Sequence, residues 1–307
     1  MASIPAIAGE VGTVVVEKLK AILDRGEPLP WSRPWRTLGF QGGPYNPTTG
    51  RAYAGAFNVF ALYSVGGFYG DLRFAGAKQW EKAGNPIRKG EKGIKVLSPL
   101  FRCYACSELV SSGVDRCKND HDLIVNGVRS VKLAGYSNFT VYNNQQGTKP
   151  LPALNALPDI DPAIGFDKAA KILVRSGARV VHGGDQASYN PRADLISLPA
   201  ASAFESVSDY WATAMHELVH WTGHDSRLAR SLDGRFGTPN YSFEELVAEV
   251  GSAILCGELG VTRPGMDEQH AAYLASWIKG VESKPTAFYT ATTQAQAAVK
   301  YLLNPKK

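Results

Sequence analysis

His216-Glu217-Leu218-Val219-His220 is the stretch on which the reading of this 307-residue chain turns. Around it, over residues 210–222, Trp211, Met215, Leu218, Val219 and Thr222 are available to pack a helix, and Gly223 is placed to stop it. Two histidines four apart on a helix leave the same face one turn apart, a spacing from which both imidazoles reach a Zn²⁺ at about 2.0–2.1 Å. Glu217, one step along, can take a proton from a water at such an ion while the ion polarises a scissile carbonyl. His216 and His220 are therefore candidate metal ligands, and Glu217 is the candidate catalytic base of a metallopeptidase-type site.

So short a pattern needs a third ligand in the right context, and two segments compete to supply one. His224, in His220-Trp221-Thr222-Gly223-His224, resembles the metzincin extension, but the metzincin ligand position is occupied here by Ser226, so His224 reads better as a helix-end residue. Downstream, residues 241–249 form a second helical pattern with an apolar stripe through Phe243, Leu246, Val247, Val250 and Ile254. Glu245 and Glu249 share another face, continued by the small residues Ser252 and Cys256, which permits close approach to a neighbouring helix. Glu245 is the expected third ligand and Glu249 a partner for a ligand imidazole, or the reverse; two glutamates on a solvated helix face are the alternative.

Composition sets the frame. With 44% hydrophobic residues the chain is globular, and its length suits two domains. No apolar run approaches the roughly 18–20 residues of a membrane span, and Met1-Ala2-Ser3-Ile4 lacks the basic and apolar regions of a signal peptide. A cytoplasmic protein without a membrane partner is expected. The net charge is +5, but residues 1–100 hold 13 Lys and Arg against 7 Asp and Glu, so all the excess lies in the first third. That asymmetry suits an anionic partner for the N-terminal part, or simply a soluble basic surface.

Along the chain, a short amphipathic helix is expected over residues 14–24, ended by Gly26, Pro28 and Pro30. Gly- and Pro-rich turns then alternate with short apolar runs, including residues 55–63 and 94–97, as in a small α+β domain. Strand-like text resumes at residues 131–142 after a polar, Cys-containing insertion. The four prolines between residues 145 and 162 mark a linker. Beyond it come a helix over 166–176, strands over 178–182 and 194–198, the His-bearing helix and further helices.

The runs Asp194-Leu195-Ile196-Ser197-Leu198-Pro199, Met215 to His224, Glu244-Glu245-Leu246-Val247-Ala248-Glu249 and Ala272-Tyr273-Leu274-Ala275-Ser276-Trp277-Ile278 resemble ArdC-type antirestriction proteins of plasmids and phages. Nearly the whole chain shares the likeness. In the N-terminal part it is carried by Pro30-Trp31-Ser32-Arg33-Pro34-Trp35, Asn46 to Tyr53, Gly55-Ala56-Phe57-Asn58 and Ile87 to Gly93. The resemblance implies an α+β chain of two domains: a small α+β single-stranded-DNA-binding domain over 1–148 and a mainly helical zincin-like metallopeptidase domain with a short sheet over 149–307. It also implies protection of incoming DNA from restriction. By motif, His216, Glu217 and His220 keep zincin roles.

The same N-terminal fragments interleave Trp31, Trp35, Tyr53 and Trp80 with Arg33, Arg36, Arg51, Lys78, Arg88, Lys89, Lys92 and Lys95. Aromatic faces that stack bases at about 1–3 kcal/mol each, beside cations that track phosphates, suit single-stranded DNA without reading its sequence. Buried tryptophans beside surface lysines would give the same text. Asn58, after an apolar run, is either a core-capping amide or a base contact.

Within the insertion, about residues 101–130, Cys103, Cys106, Cys117 and His121 are spaced as C-x₂-C-x₁₀-C-x₃-H. A Cys₃His set can close a tetrahedral structural Zn²⁺ site in a loop too polar to build its own core, with reduced or redox-active thiols as the alternatives. Cys256 reads as packing, and His182 and His270 as satisfied side chains. Two zincs are thus expected, one of catalytic type and one structural. The expected partners are single-stranded DNA and either a protein substrate or a restriction enzyme. Three functions stay open: antirestriction through hydrolysis, a metal-stabilised module that blocks restriction by occupancy, and a DNA-dependent protease of DNA-bound proteins.

Overall fold

The computed structural model describes residues 4–26, 43–111, 114–125, 128–153, 162–232, 239–261, 278, 281–282, 284 and 286–304. The fold is α+β in two domains. Helix α1 (Ile4–Asp24) is longer than expected: Ile7, Ala8, Val11, Val15, Val16, Leu19 and Ile22 form one buried stripe at helical spacing. Pro5 sits in its first turn, where a missing N–H costs nothing, and Gly26 ends it at φ 65°. The run expected over 55–63 continues as helix α2 (Ala56–Tyr69), buried on nearly every side and stopped by Gly70 in the left-handed region. Asn58 is the core-capping amide: its side chain accepts from Leu97 N at 2.8 Å and donates to Leu97 O at 2.8 Å, pinning α2 to the neighbouring sheet.

That sheet joins β3 (Phe74–Ala75), β8 (Val131–Asn143), β4 (Ile94–Cys103) and β5 (Leu109–Ser111), antiparallel and in that order. The short pairs β1 (Tyr45–Asn46) with β2 (Arg51–Ala52), and β6 (Ile124–Val125) with β7 (Val128–Arg129), lie outside it. Strands β4 and β8 form a long ribbon from Ile94↔Val141 to Cys103↔Val131, with a register shift between Leu100 and Phe101. Its distal end carries the cysteines. At the proximal end, helix α3 (Ala77–Lys82) seats Trp80 in the core.

Beside Trp80 lies a buried polar cluster. The Asp71 carboxylate accepts from Arg73 Nη2 at 2.7 Å and Asn144 Nδ2 at 2.9 Å, while Arg73 also donates to the carbonyls of Pro152 and Leu151. Leu151 N donates to Asn144 Oδ1 at 2.9 Å. These bonds tie the backbone at Leu151 and Pro152 to Arg73 and Asn144.

The second domain opens with helix α4 (Pro162–Ser176), which begins four residues earlier than expected because Pro162 is tolerated at a helix start. A three-stranded sheet follows, with β11 (Leu195–Leu198) between β10 (Ser188–Asn190), antiparallel, and β9 (Arg179–His182), parallel. Helices α5 (Val207–Trp221), α6 (Pro239–Leu259) and α7 (Ala287–Leu303) follow. The two domains share a core. Phe57 and Phe60 on α2 meet Phe288 on α7 with ring centroids 5.7 and 5.9 Å apart, and Ala56 N donates to Gln296 Oε1 at 3.0 Å.

Candidate metal centre

Helix α5 starts at Ser206, whose hydroxyl accepts from Asp209 N at 3.1 Å as an N-cap. Ala214, Met215, Leu218 and Val219 are buried, while His216 and His220 meet the glutamates of α6. Close approach of the two helices depends on Gly251, where a Cβ would lie 2.9 Å from Val219 Cγ1. Across this contact the ligand atoms of His216, His220 and Glu245 all fall within 4.8 Å of one another.

Their separations test whether a cation fits. His216 Nε2 is 3.1 Å from His220 Nε2, and Glu245 oxygens lie 3.5 Å from His216 Nε2 and 3.4 Å from His220 Nε2. Ligands about 2.0–2.1 Å from one tetrahedral ion are separated by about 3.3–3.4 Å. The triangle therefore has the size of one face of such a shell, and its imidazole and carboxylate donors suit a divalent first-row ion.

Surrounding groups fix the imidazoles. His220 Nδ1 lies 3.2 Å from Glu244 Oε1, so with Nε2 turned inward it donates to that carboxylate. Glu249 Oε2 lies 3.6 Å from His216 Nδ1, which places Glu249 behind the ligand rather than in the triangle. Glu244 is in turn gripped by Arg230, at 2.8 Å from Nη2 and 3.0 Å from Nε. Arg230 also donates to Val219 O at 2.7 Å and Thr222 Oγ1 at 2.8 Å, the last turn of the ligand helix. Gly223 makes room for it, since a Cβ there would lie 2.9 Å from Arg230 Nη2. Neither Glu244 nor Arg230 was assigned from sequence; the adjacent pair Glu244-Glu245, aimed about 100° apart on one helix, was the available signal.

Burial opposes charge throughout the cluster, yet the contacts override it. Glu245 and Glu249 raise His216 to about 9 against its desolvation, and both imidazoles hold Glu245 well below the carboxylate range. Proton and cation thus compete for the same nitrogens. Glu217, the next residue along α5 from His216, is buried at 7% exposure.

His224 is not in the ligand triangle: its Nδ1 pairs locally with Ser226 Oγ at 2.8 Å. His182 pairs with the Tyr210 hydroxyl at 3.0 Å. Arg227, stacked 3.8 Å over Trp221, binds Asp194 and Tyr189, tying the sheet to the end of α5.

The expected DNA contacts divide. Trp80 is fully buried and donates from Nε1 to Tyr142 O at 2.8 Å, so no base can stack on it and that assignment is corrected. Tyr53 is half-buried, its hydroxyl spent on Phe74 O at 2.9 Å. Arg88 spends its guanidinium on Glu91 and the carbonyls of Gln145 and Gly147. Arg51, Lys89 and Lys92 are exposed. Trp31, Arg33 and Trp35 lie outside the described residues, as do His270 and residues 272–277.

Residues 9–129 match the N-terminal domain of anti-restriction factor ArdC, and residues 167–294 match the zincin-like metallopeptidase family. The chain belongs to the ArdC family. Its fold is similar to crystal structures of the antirestriction ArdC protein from plasmid R388, Mn(II)-bound and metal-free. The TM-scores are 0.61 and 0.60 at 28% identity, covering 95% and 96% of this chain and 96% of each ArdC chain. Among curated relatives, two Escherichia coli DNA primase TraC proteins are 38% identical over 96% and 94% of this chain, which spans only 27% and 20% of their lengths. An uncharacterised Sinorhizobium fredii protein is 29% identical over 84% of this chain and 80% of its own length. The ArdC likeness thus runs through both domains.

Proposed function

We propose that this ArdC-family chain protects incoming mobile-element DNA from restriction in the cytoplasm. In this reading the N-terminal domain binds single-stranded DNA without sequence preference and the C-terminal domain carries a hydrolytic zinc site. The observation that carries the catalytic half is the His216–His220–Glu245 triangle, with Glu217 beside it on α5. A divalent cation there would supply Lewis acidity toward a carbonyl oxygen and lower the pKa of water at the site. Glu217 takes the proton of the attacking water and passes it to the leaving group. Glu244 and Glu249 hold the imidazoles in the tautomer that leaves Nε2 free. The Mn(II)-bound R388 structure supports a divalent ion, and the N-terminal match supports a DNA-binding half. Exposed Arg51, Lys78, Lys89 and Lys92 are among the described cations available to phosphates. No described helix is long and apolar enough to cross a membrane.

Glu217→Gln tests the chemistry. The variant is expected to keep its metal and its DNA affinity but to lose protection of unmodified plasmid DNA entering a restricting host, since loss of a general base costs about 10²–10⁴-fold in rate. Unchanged protection would remove hydrolysis and leave occupancy of DNA or of the restriction enzyme. Cleavage products seen only with DNA present would instead identify a DNA-dependent protease.

A further inference from the structure

A second set of metal-ligating atoms converges at the distal end of the β4–β8 ribbon. Cys103 ends β4, Cys106 lies in the following turn, and Cys117 and His121 flank another tight turn before β6. Their ligand atoms all lie within 4.8 Å of one another. Cys106 Sγ is 3.6 Å from Cys117 Sγ, and Cys117 Sγ is 3.3 Å from His121 Nδ1. Thiolates about 2.3 Å from a tetrahedral Zn²⁺ are separated by about 3.8 Å, and a thiolate and an imidazole by about 3.6 Å. All the cysteines are free thiols, and the sulfur spacing is that of ligands sharing an ion, since a disulfide needs about 2.0 Å.

Backbone geometry is built to the same end. Ser107 N donates to Cys103 O at 2.8 Å and Asp120 N to Cys117 O at 2.9 Å, each turn closed by a non-glycine residue at φ 61°. Within these turns the amides of Ala105 and Cys106 face the Cys103 sulfur, that of Glu108 faces Cys106, and those of Asn119 and His121 face Cys117. The buried apolar cluster here is Cys103, Val110, Cys117 and Leu123, separate from the main core and half made of the ligands themselves. So small a core does not hold a fold without a staple.

We propose that Cys103, Cys106, Cys117 and His121 bind a structural Zn²⁺ that folds the segment between β4 and β8. This site is independent of the His216 centre and chemically softer. Three thiolates select zinc or cobalt, whereas the imidazole and carboxylate donors of the other site also admit harder ions such as manganese.

Cobalt(II) titration of the reduced full chain tests the assignment. One equivalent is expected to give an intense near-UV thiolate-to-cobalt charge-transfer band, which persists in His216→Ala and is lost in Cys103→Ser. A wild-type chain with four titratable thiols and no such band would overturn the proposal, as would a band that survives Cys103→Ser. Because the serine variant can fail to fold, zinc-edge X-ray absorption on the wild type provides a second arm. Sulfur neighbours at about 2.3 Å are expected, and a shell of nitrogen and oxygen alone would refute the site.

Discussion

Arg230→Ala is expected to destabilise the second domain by about 3–5 kcal/mol, the usual result of removing one partner from a buried ion pair. The Arg230 and Glu244 side chains are 4% and 8% exposed, so the glutamate left behind keeps its charge in a site closed to water. Arg230 also satisfies Val219 O and Thr222 Oγ1 at the end of α5, and losing those bonds frees the turn that carries His220. Because Glu244 orients His220, metal affinity is expected to fall about 10–100-fold as well. Denaturant unfolding at fixed metal concentration and a competition titration with a chromophoric chelator measure the two effects. Loss of stability with unchanged affinity would show that Glu244 holds His220 without help from Arg230.

Asp71→Asn is the corresponding test of the first domain, again with an expected cost of about 3–5 kcal/mol. Asparagine keeps the shape but leaves the Arg73 guanidinium, 5% exposed, without its counter-charge. Burial raises the Asp71 carboxyl, but hydrogen bonds from Arg73 and Asn144 outweigh it and hold the group below its ordinary value. A depressed carboxyl contributes stability that is complete above its unfolded pKa, about 3.9, and is lost as pH falls through the folded value. The wild type is therefore expected to lose stability below about pH 4, and the difference between the two proteins to shrink over the same range. Thermal melts from pH 6 to about 2.5 follow both. A constant difference across that window would assign the cost to packing instead of charge.

How much could be read from the sequence depended on how local the signal was. The His-Glu-x-x-His segment and the Glu245–Glu249 face were legible because helical periodicity fixes which side chains share a face, and Gly251 lets the two helices close. Arg230 was not legible. It reaches Glu244 through a loop whose path depends on Gly223 N donating to His220 O and Arg230 N donating to Gly223 O, and no periodicity encodes that. The first ten residues of α1 were missed because Pro5, Gly9 and Gly12 mimic loop text, although the stripe from Ile7 to Ile22 lies against the core. Trp80 misled for the opposite reason. Its neighbours Lys78 and Lys82 are exposed, but its own Cα–Cβ vector points inward to Tyr142 O, and composition alone does not separate the two directions.

The most direct test of the account is an anomalous-difference map from crystals grown with zinc, using data on either side of the zinc edge. A peak at about 2.0–2.2 Å from His216 Nε2, His220 Nε2 and a Glu245 oxygen is expected, with Glu249 and His224 outside the coordination shell. A peak held by Glu249 or His224 in place of Glu245, or no peak beside α5, would contradict the metal centre on which the proposed function rests.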